Sequence, residues 1–172
     1  MEIERKFLIK ELPANLTEYP CHLIEQAYLC TDPVIRIRRQ NDEYYLTYKG
    51  KGLMSRDEYN LPLNKDAYEH LLSKADGNII SKRRYVIPLE NPQFADGFLP
   101  AKDTTAQTKH FSGLKIELDL FEAPFQSLIL AEVEFPTEEM ANAFLMPDWF
   151  LEDVTCDPAY HNSNLSKRAT SD

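Results

Sequence analysis

The chain opens Met1-Glu2-Ile3-Glu4-Arg5-Lys6, which sets two carboxylates and an ammonium at a period of two. On an extended strand Glu2, Glu4 and Lys6 then share one face, with Ile3 and Phe7 on the other. A carboxylate pair of this kind suits a metal ion, and the cation beside it suits an anion. The same one-sided polarity recurs downstream. Arg36 and Arg38 share a face, as do Tyr45, Thr47 and Lys49; Arg56 and Glu58; Lys82 and Arg84; and Glu132 and Glu134. The run Leu114-Lys115-Ile116-Glu117-Leu118-Asp119-Leu120 alternates almost without a break, and Gln26 and Tyr28 occupy the matching face of a further segment. The signs are grouped: carboxylates on the first and last two of these segments, cations between them.

Eight strands must position these side chains. Their alternation places them at about 2–9, 24–30, 34–40, 43–49, 56–62, 79–88, 113–121 and 128–135. A helix is predicted over 65–75 with Asn64 or Asp66 as its cap, and another over 138–145 capped by Thr137. Shorter helical pieces fit 12–18 and 162–168. Residues 91–112 are rich in Pro, Gly, Asp, Thr and Lys and include Lys102, Lys109 and His110; they are expected to form one long mobile loop. Hairpin-length connections elsewhere indicate a mainly β (α+β) fold, an antiparallel barrel or sandwich with helices packed outside.

Composition narrows the function. At 172 residues, 43% hydrophobic and 27% charged, the chain reads as a single globular domain over 1–172, with 158–172 as a C-terminal helix or tail. A net charge of −9 argues against holding long nucleic acid by overall field. No apolar run reaches membrane-spanning length, and the charged start leaves no room for a signal peptide. Three cysteines, odd in number and without a CxxC pair, suggest reduced thiols in a cytoplasmic protein. The scattered histidines offer no His/Cys metal site.

Alternation leaves open whether the charged face looks to solvent or into a barrel. If it looks inward, the interior must be wet, because a dry one could not hold so many ions. Glu and Asp oxygens then select Mg²⁺ or Mn²⁺, and convergent Arg and Lys select phosphate. Together they predict a metal-bound polyphosphate or nucleoside triphosphate in a charged channel.

The motif Glu2-Ile3-Glu4-Arg5-Lys6 resembles the ExExK signature of the CYTH superfamily, the triphosphate tunnel metalloenzymes. Arg36-Ile37-Arg38, Thr47-Tyr48-Lys49-Gly50, Arg56-Asp57-Glu58-Tyr59, Lys82-Arg83-Arg84-Tyr85, Glu117 through Phe121 and Glu132-Val133-Glu134-Phe135 follow in the family's order. The ending, Val154 through Asp157 with Tyr160, Asn162 and Leu165, resembles the short bacterial members. The resemblance implies an eight-stranded antiparallel tunnel with its charges inside, and metal-dependent chemistry on a triphosphate; in such a tunnel the segment from Pro158 could close one end with a short helix, and 91–112 could cover a mouth or form a disordered loop. It implies that Glu2, Glu4 and Glu132 hold the metal that bridges the phosphates. Glu134, with Asp119 and Glu117, would serve a second metal and the attacking water. Lys6, Arg36, Arg38, Lys49, Lys82 and Arg84 would cradle phosphate, with Arg56 and Glu58 as partners or additional ligands. In the family's inorganic triphosphatases a second-strand tyrosine pairs with a lysine; Tyr28 and Lys82 stand at those positions, which implies either that Lys82 lowers the phenol's pKa and the pair helps orient substrate or water, or that Tyr28 lines the tunnel wall and donates one hydrogen bond. The expected reaction is hydrolysis of the terminal phosphate of tripolyphosphate or another triphosphate. An adenylate cyclase of the same fold and a non-catalytic polyphosphate-binding module are the alternatives.

Overall fold

The computed structural model describes residues 1–98 and 113–169. In chain order the strands are β1 (Glu2–Ile9), β2 (Cys21–Thr31), β3 (Val34–Gln40), β4 (Glu43–Lys49), β5 (Ser55–Arg56), β6 (Glu58–Leu63), β7 (Asp76–Pro88), β8 (Gln93–Phe94), β9 (Lys115–Phe121), β10 (Ile129–Glu134), β11 (Phe144–Leu145) and β12 (Phe150–Asp153). The helices are α1 (Lys65–Leu72), α2 (Glu138–Ala143) and α3 (Asn162–Leu165).

One antiparallel sheet runs β12-β1-β10-β9-β7-β2-β3-β4-β6, and β5 pairs with β1. The strand expected over 56–62 is therefore two strands broken at Asp57. On one side Glu58 pairs with Lys49 of β4; on the other Arg56 pairs with Glu2 of β1. That corner brings the last edge round to the first and all but closes the ring. The eight expected strands thus make the barrel wall, with β12 laid beside the far end of β1.

Several boundaries differ from the sequence reading. α1 stops at Leu72, and Asn64 is its cap, accepting from the Ala67 amide at 2.8 Å. α2 stops at Ala143 because Phe144 and Leu145 leave the helix to pair with β8. The piece at 12–18 is reduced to a 3₁₀ turn at Leu16–Glu18, and α3 ends at Leu165. Of the expected loop, 91–98 contains β8, while 99–112, with Lys102, Lys109 and His110, lies outside the described residues.

Alternation works here with both faces covered. The outward side chains Ile3, Phe7, Ile116, Leu118, Ala131 and Val133 pack against Met140, Phe144 and Phe150. Ala27 and Ile37 pack under Tyr68 of α1. Fully burying each such side chain is worth about 1.5–3 kcal/mol, so the apolar core lies outside the barrel and its lumen is left to the polar set.

The inward rows change character at one end. Ile80, Phe121 and Leu130, with Leu8, continue the parity of Lys82, Asp119, Glu132 and Lys6, and they pack with Val154 and Leu165 of the C-terminal segment. This apolar layer fills that end of the lumen. The segment is pinned to the start of β7, where the Asn78 amide donates to the Ser166 carbonyl at 2.7 Å. Gly77 permits the approach: its φ is +74°, and a Cβ there would stand 2.2 Å from the Ser166 oxygen. Gly77→Ala is expected to cost about 2 kcal/mol. A thermal melt should register roughly 4–8 °C, and an unchanged Tm would mean the closed end does not rely on this contact.

Candidate active site

A cavity of about 630 Å³ occupies the barrel interior. Period-two geometry on nine strands delivers its lining: Glu2, Glu4 and Lys6 from β1, Tyr28 from β2, Arg36 and Arg38 from β3, Lys49 from β4, Arg56 from β5, Glu58 and Asn60 from β6, Arg84 from β7, Glu117 from β9, and Glu132 and Glu134 from β10. His161, Asn162 and Ser163 of the C-terminal segment complete it. The charged face therefore looks inward.

Most cations here are answered by carboxylates. Lys6 bridges Glu4, at 2.8 Å, and Glu132. Lys49 lies 2.6 Å from Glu2 and 2.7 Å from Glu58, and Arg56 reaches Glu2 and Glu4 at 3.3 and 3.2 Å. Arg84 binds Asp119 through two nitrogens at 2.6 Å and also holds Glu117 and Glu132. Lys82 pairs with Asp119, and both side chains are fully buried.

Two residues expected in direct contact with the substrate or metal are thus placed elsewhere. Lys82, expected to cradle phosphate, and Asp119, expected to hold a metal, face inward but are fully buried outside the cavity lining, next to the apolar layer. The Asp119 carboxylate is taken by Lys82 and Arg84. No hydrogen bond joins Lys82 to Tyr28 among the described residues; across β2 and β7 Lys82 lies opposite Ile24. The Tyr28 hydroxyl instead takes a hydrogen bond from Gln26, and burial pushes its pKa up, the reverse of the expected lowering.

Arg36 and Arg38 behave differently. Both are buried, yet among the described residues neither has a carboxylate partner. The Arg36 Nη2 donates to Thr47 Oγ1 at 2.9 Å, and its Nε has no partner. Arg38 donates twice to the Gln26 carbonyl oxygen, at 3.0 and 2.7 Å, and to the Tyr45 hydroxyl at 3.3 Å. Burial and the neighbouring Arg38 lower the Arg36 pKa. Two desolvated positive charges held only by neutral groups need an anion.

The carboxylates show the opposite imbalance. Burial and Glu4 raise Glu2 to about 7. Burial together with Glu117, Glu4 and Glu58 raises Glu134, which makes no ion pair among the described residues. Burial would raise Glu4 as well, but Lys6, Lys49 and Arg56 outweigh it and bring Glu4 down to about 2. Among the described residues no three such donors stand gathered around one point as a finished metal site. Their chemistry nevertheless fits a hard divalent ion: Glu134 faces Glu4 across the β1–β10 ladder, every donor is a carboxylate oxygen, and Glu134 has no ion-pair partner among the described residues.

Sequence reasoning missed Asn60 and the C-terminal trio. Asn60 shares the parity of Glu58, and Thr47 Oγ1 lies 2.6 Å from its Oδ1. His161, Asn162 and Ser163 sit outside any strand, so no periodicity signals them.

Comparison with known proteins matches the CYTH domain model to residues 1–138. The chain is 36% identical over 169 residues to an inorganic triphosphatase of Nitrosomonas europaea, covering 96% of each protein. It is 31% identical over 170 residues to an inorganic triphosphatase of Acetivibrio thermocellus, covering 96% of this chain and 93% of that one. A crystal structure of an inorganic triphosphatase superposes with a TM-score of 0.64 at 33% identity, covering 99% of this chain and 97% of the other.

Proposed function

The chain belongs to the CYTH domain family, and on that footing we propose that it is a divalent-metal-dependent hydrolase that removes the terminal phosphate of inorganic tripolyphosphate or another triphosphate. The observation that carries the reading is the pair Arg36 and Arg38, buried on the lumen wall with neutral partners only among the described residues. A polyanion supplies the charge that the pair lacks, and fixed guanidiniums receive it with its hydration shell already displaced. Inorganic triphosphatase relatives at 36% and 31% identity support the same assignment.

The remaining residues divide the work. Lys6, Lys49, Arg56 and Arg84 keep the neighbouring carboxylates fixed and complete the cradle for phosphate oxygens. Lys82 and Asp119, buried outside the cavity lining, act by setting the position of Arg84. Glu2, Glu4, Glu132 and Glu134, with Glu117, would hold Mg²⁺ or Mn²⁺, which when bound would supply neutralisation of phosphate charge and activation of water. The apolar layer and C-terminal segment keep bulk water from one end. We place this activity in the cytoplasm, on a free small-molecule substrate.

Tripolyphosphate, ATP and thiamine triphosphate, each assayed with Mg²⁺ and with Mn²⁺, decide the matter. Phosphate release that stops on chelation is the expected result. Cyclic AMP as the main product from ATP would replace hydrolysis with cyclisation, and binding without turnover would leave a polyphosphate-binding module. The pH profile has a definite sign. Glu2, with its pKa raised to about 7, is largely protonated below that pH and cannot offer an anionic oxygen. Divalent-ion affinity, measured by titration calorimetry, should therefore rise as pH goes from about 6 to 8; affinity that is flat or falls over this interval would remove Glu2 from the metal site.

A further inference from the structure

Gln26 is completely buried on β2, among ionised side chains, and is itself neutral. Its carbonyl oxygen accepts both Arg38 bonds, at 3.0 and 2.7 Å. That fixes the amide, because the reverse orientation would set its NH₂ donors against a guanidinium. The Nε2 must then point the other way, and it donates to the Tyr28 hydroxyl at 3.3 Å. With that lone pair occupied by an N–H, the Tyr28 proton turns elsewhere. Tyr28 lines the cavity, and among the described residues no acceptor takes its proton.

We infer that Gln26 is a positioning residue for anion capture: it holds Arg38 without cancelling its charge and turns the Tyr28 hydroxyl into a donor aimed at a phosphate oxygen. This rests on the triphosphatase reading of the cavity. A carboxylate of the same shape would hold Arg38 at least as firmly but would defeat both roles. It would neutralise the guanidinium, and, having no N–H, it would accept the Tyr28 proton. Thr47 treats Arg36 in the same way, with a hydroxyl in place of a carboxylate. The wall that needs a polyanion is thus built on neutral supports, whereas Lys6, Lys49 and Arg84 stand on charged ones.

The test is Gln26→Glu, read by thermal melt and by tripolyphosphate hydrolysis with Mg²⁺ at pH 7.5. A Tm equal to or above that of the parent, with KM raised at least 30-fold and kcat within about threefold, supports the inference. Tyr28→Phe should raise KM in the parent and have little further effect in the Gln26→Glu background. A Gln26→Glu protein with parental KM overturns it. Should that variant not fold, Gln26→Met keeps the stem without the amide; a fivefold rise in KM at unchanged kcat is expected, and a parental KM overturns the inference equally. The parent is measured alongside. If it neither binds nor hydrolyses tripolyphosphate, the triphosphatase reading falls and this one with it; if it does both and the variants match it, only the role of Gln26 falls.

Discussion

Glu134→Gln should lower kcat for triphosphate hydrolysis about 1,000-fold, a loss in the range for removing a group that stabilises transition-state charge or holds its metal. Glu134 lines the cavity and makes no ion pair among the described residues, and burial with Glu117, Glu4 and Glu58 raises its pKa. A carboxyl raised in the folded state costs stability above its ordinary pKa, since the folded protein holds its proton more tightly than the unfolded chain does. Neutralising it should therefore leave the metal-free Tm at pH 7 unchanged or higher. Added Mn²⁺ should raise the Tm of the parent and raise that of the variant less. Equal kcat values would remove Glu134 from the reaction. Equal Mn²⁺ shifts alongside a lowered kcat would leave it a role with the water and none with the metal.

Arg36→Gln is the second large effect, and it separates affinity from stability. The native guanidinium is buried next to Arg38, with Thr47 as its hydrogen-bond partner and its Nε unpaired among the described residues. Removing that charge takes away a like-charge repulsion and an unmet donor, so the substrate-free protein should melt no lower than the parent. Substrate capture should suffer. Losing a hydrogen bond to a charged group is worth about 1.5–3 kcal/mol, or about 10- to 100-fold in KM for tripolyphosphate, with kcat much less affected. A fall in Tm with unchanged KM would recast Arg36 as a strut of the β3–β4 pair. At Lys82 the opposite pattern holds. It is fully buried on Asp119, outside the cavity lining, so replacing it strikes at folding and at the placement of Arg84 before it reaches substrate.

These contrasts mark where reading the chain succeeded. The spacing Glu2-Glu4-Lys6, Arg36-Arg38 and Glu132-Glu134 determined which side chains share a face, because extended backbone alternates whatever surrounds it. β3 and β4 fall where alternation put them, and Asn64 and Thr137 cap helices as their types require. Resemblance in the order of the motifs gave the family.

Tertiary structure decided the rest. That the charged face turns inward depends on ring closure through the break at Asp57, a pairing between segments some fifty residues apart. Which cation finds a carboxylate depends on register: Lys82 and Arg84 are two residues apart on one face, yet one is sealed against Phe121 and Asp119 while the other reaches the lumen. Arg36 and Arg38 owe their unmet charge to Thr47 and Gln26, supplied by strands on either side. That the C-terminal segment closes one end was expected from the chain; which residues seal it, Val154 and Leu165 against Ile80, Phe121 and Leu130, was not, because that segment carries no period to read. Local spacing fixes direction because it is a property of the backbone; partnership is fixed only by how the strands are staggered around the barrel.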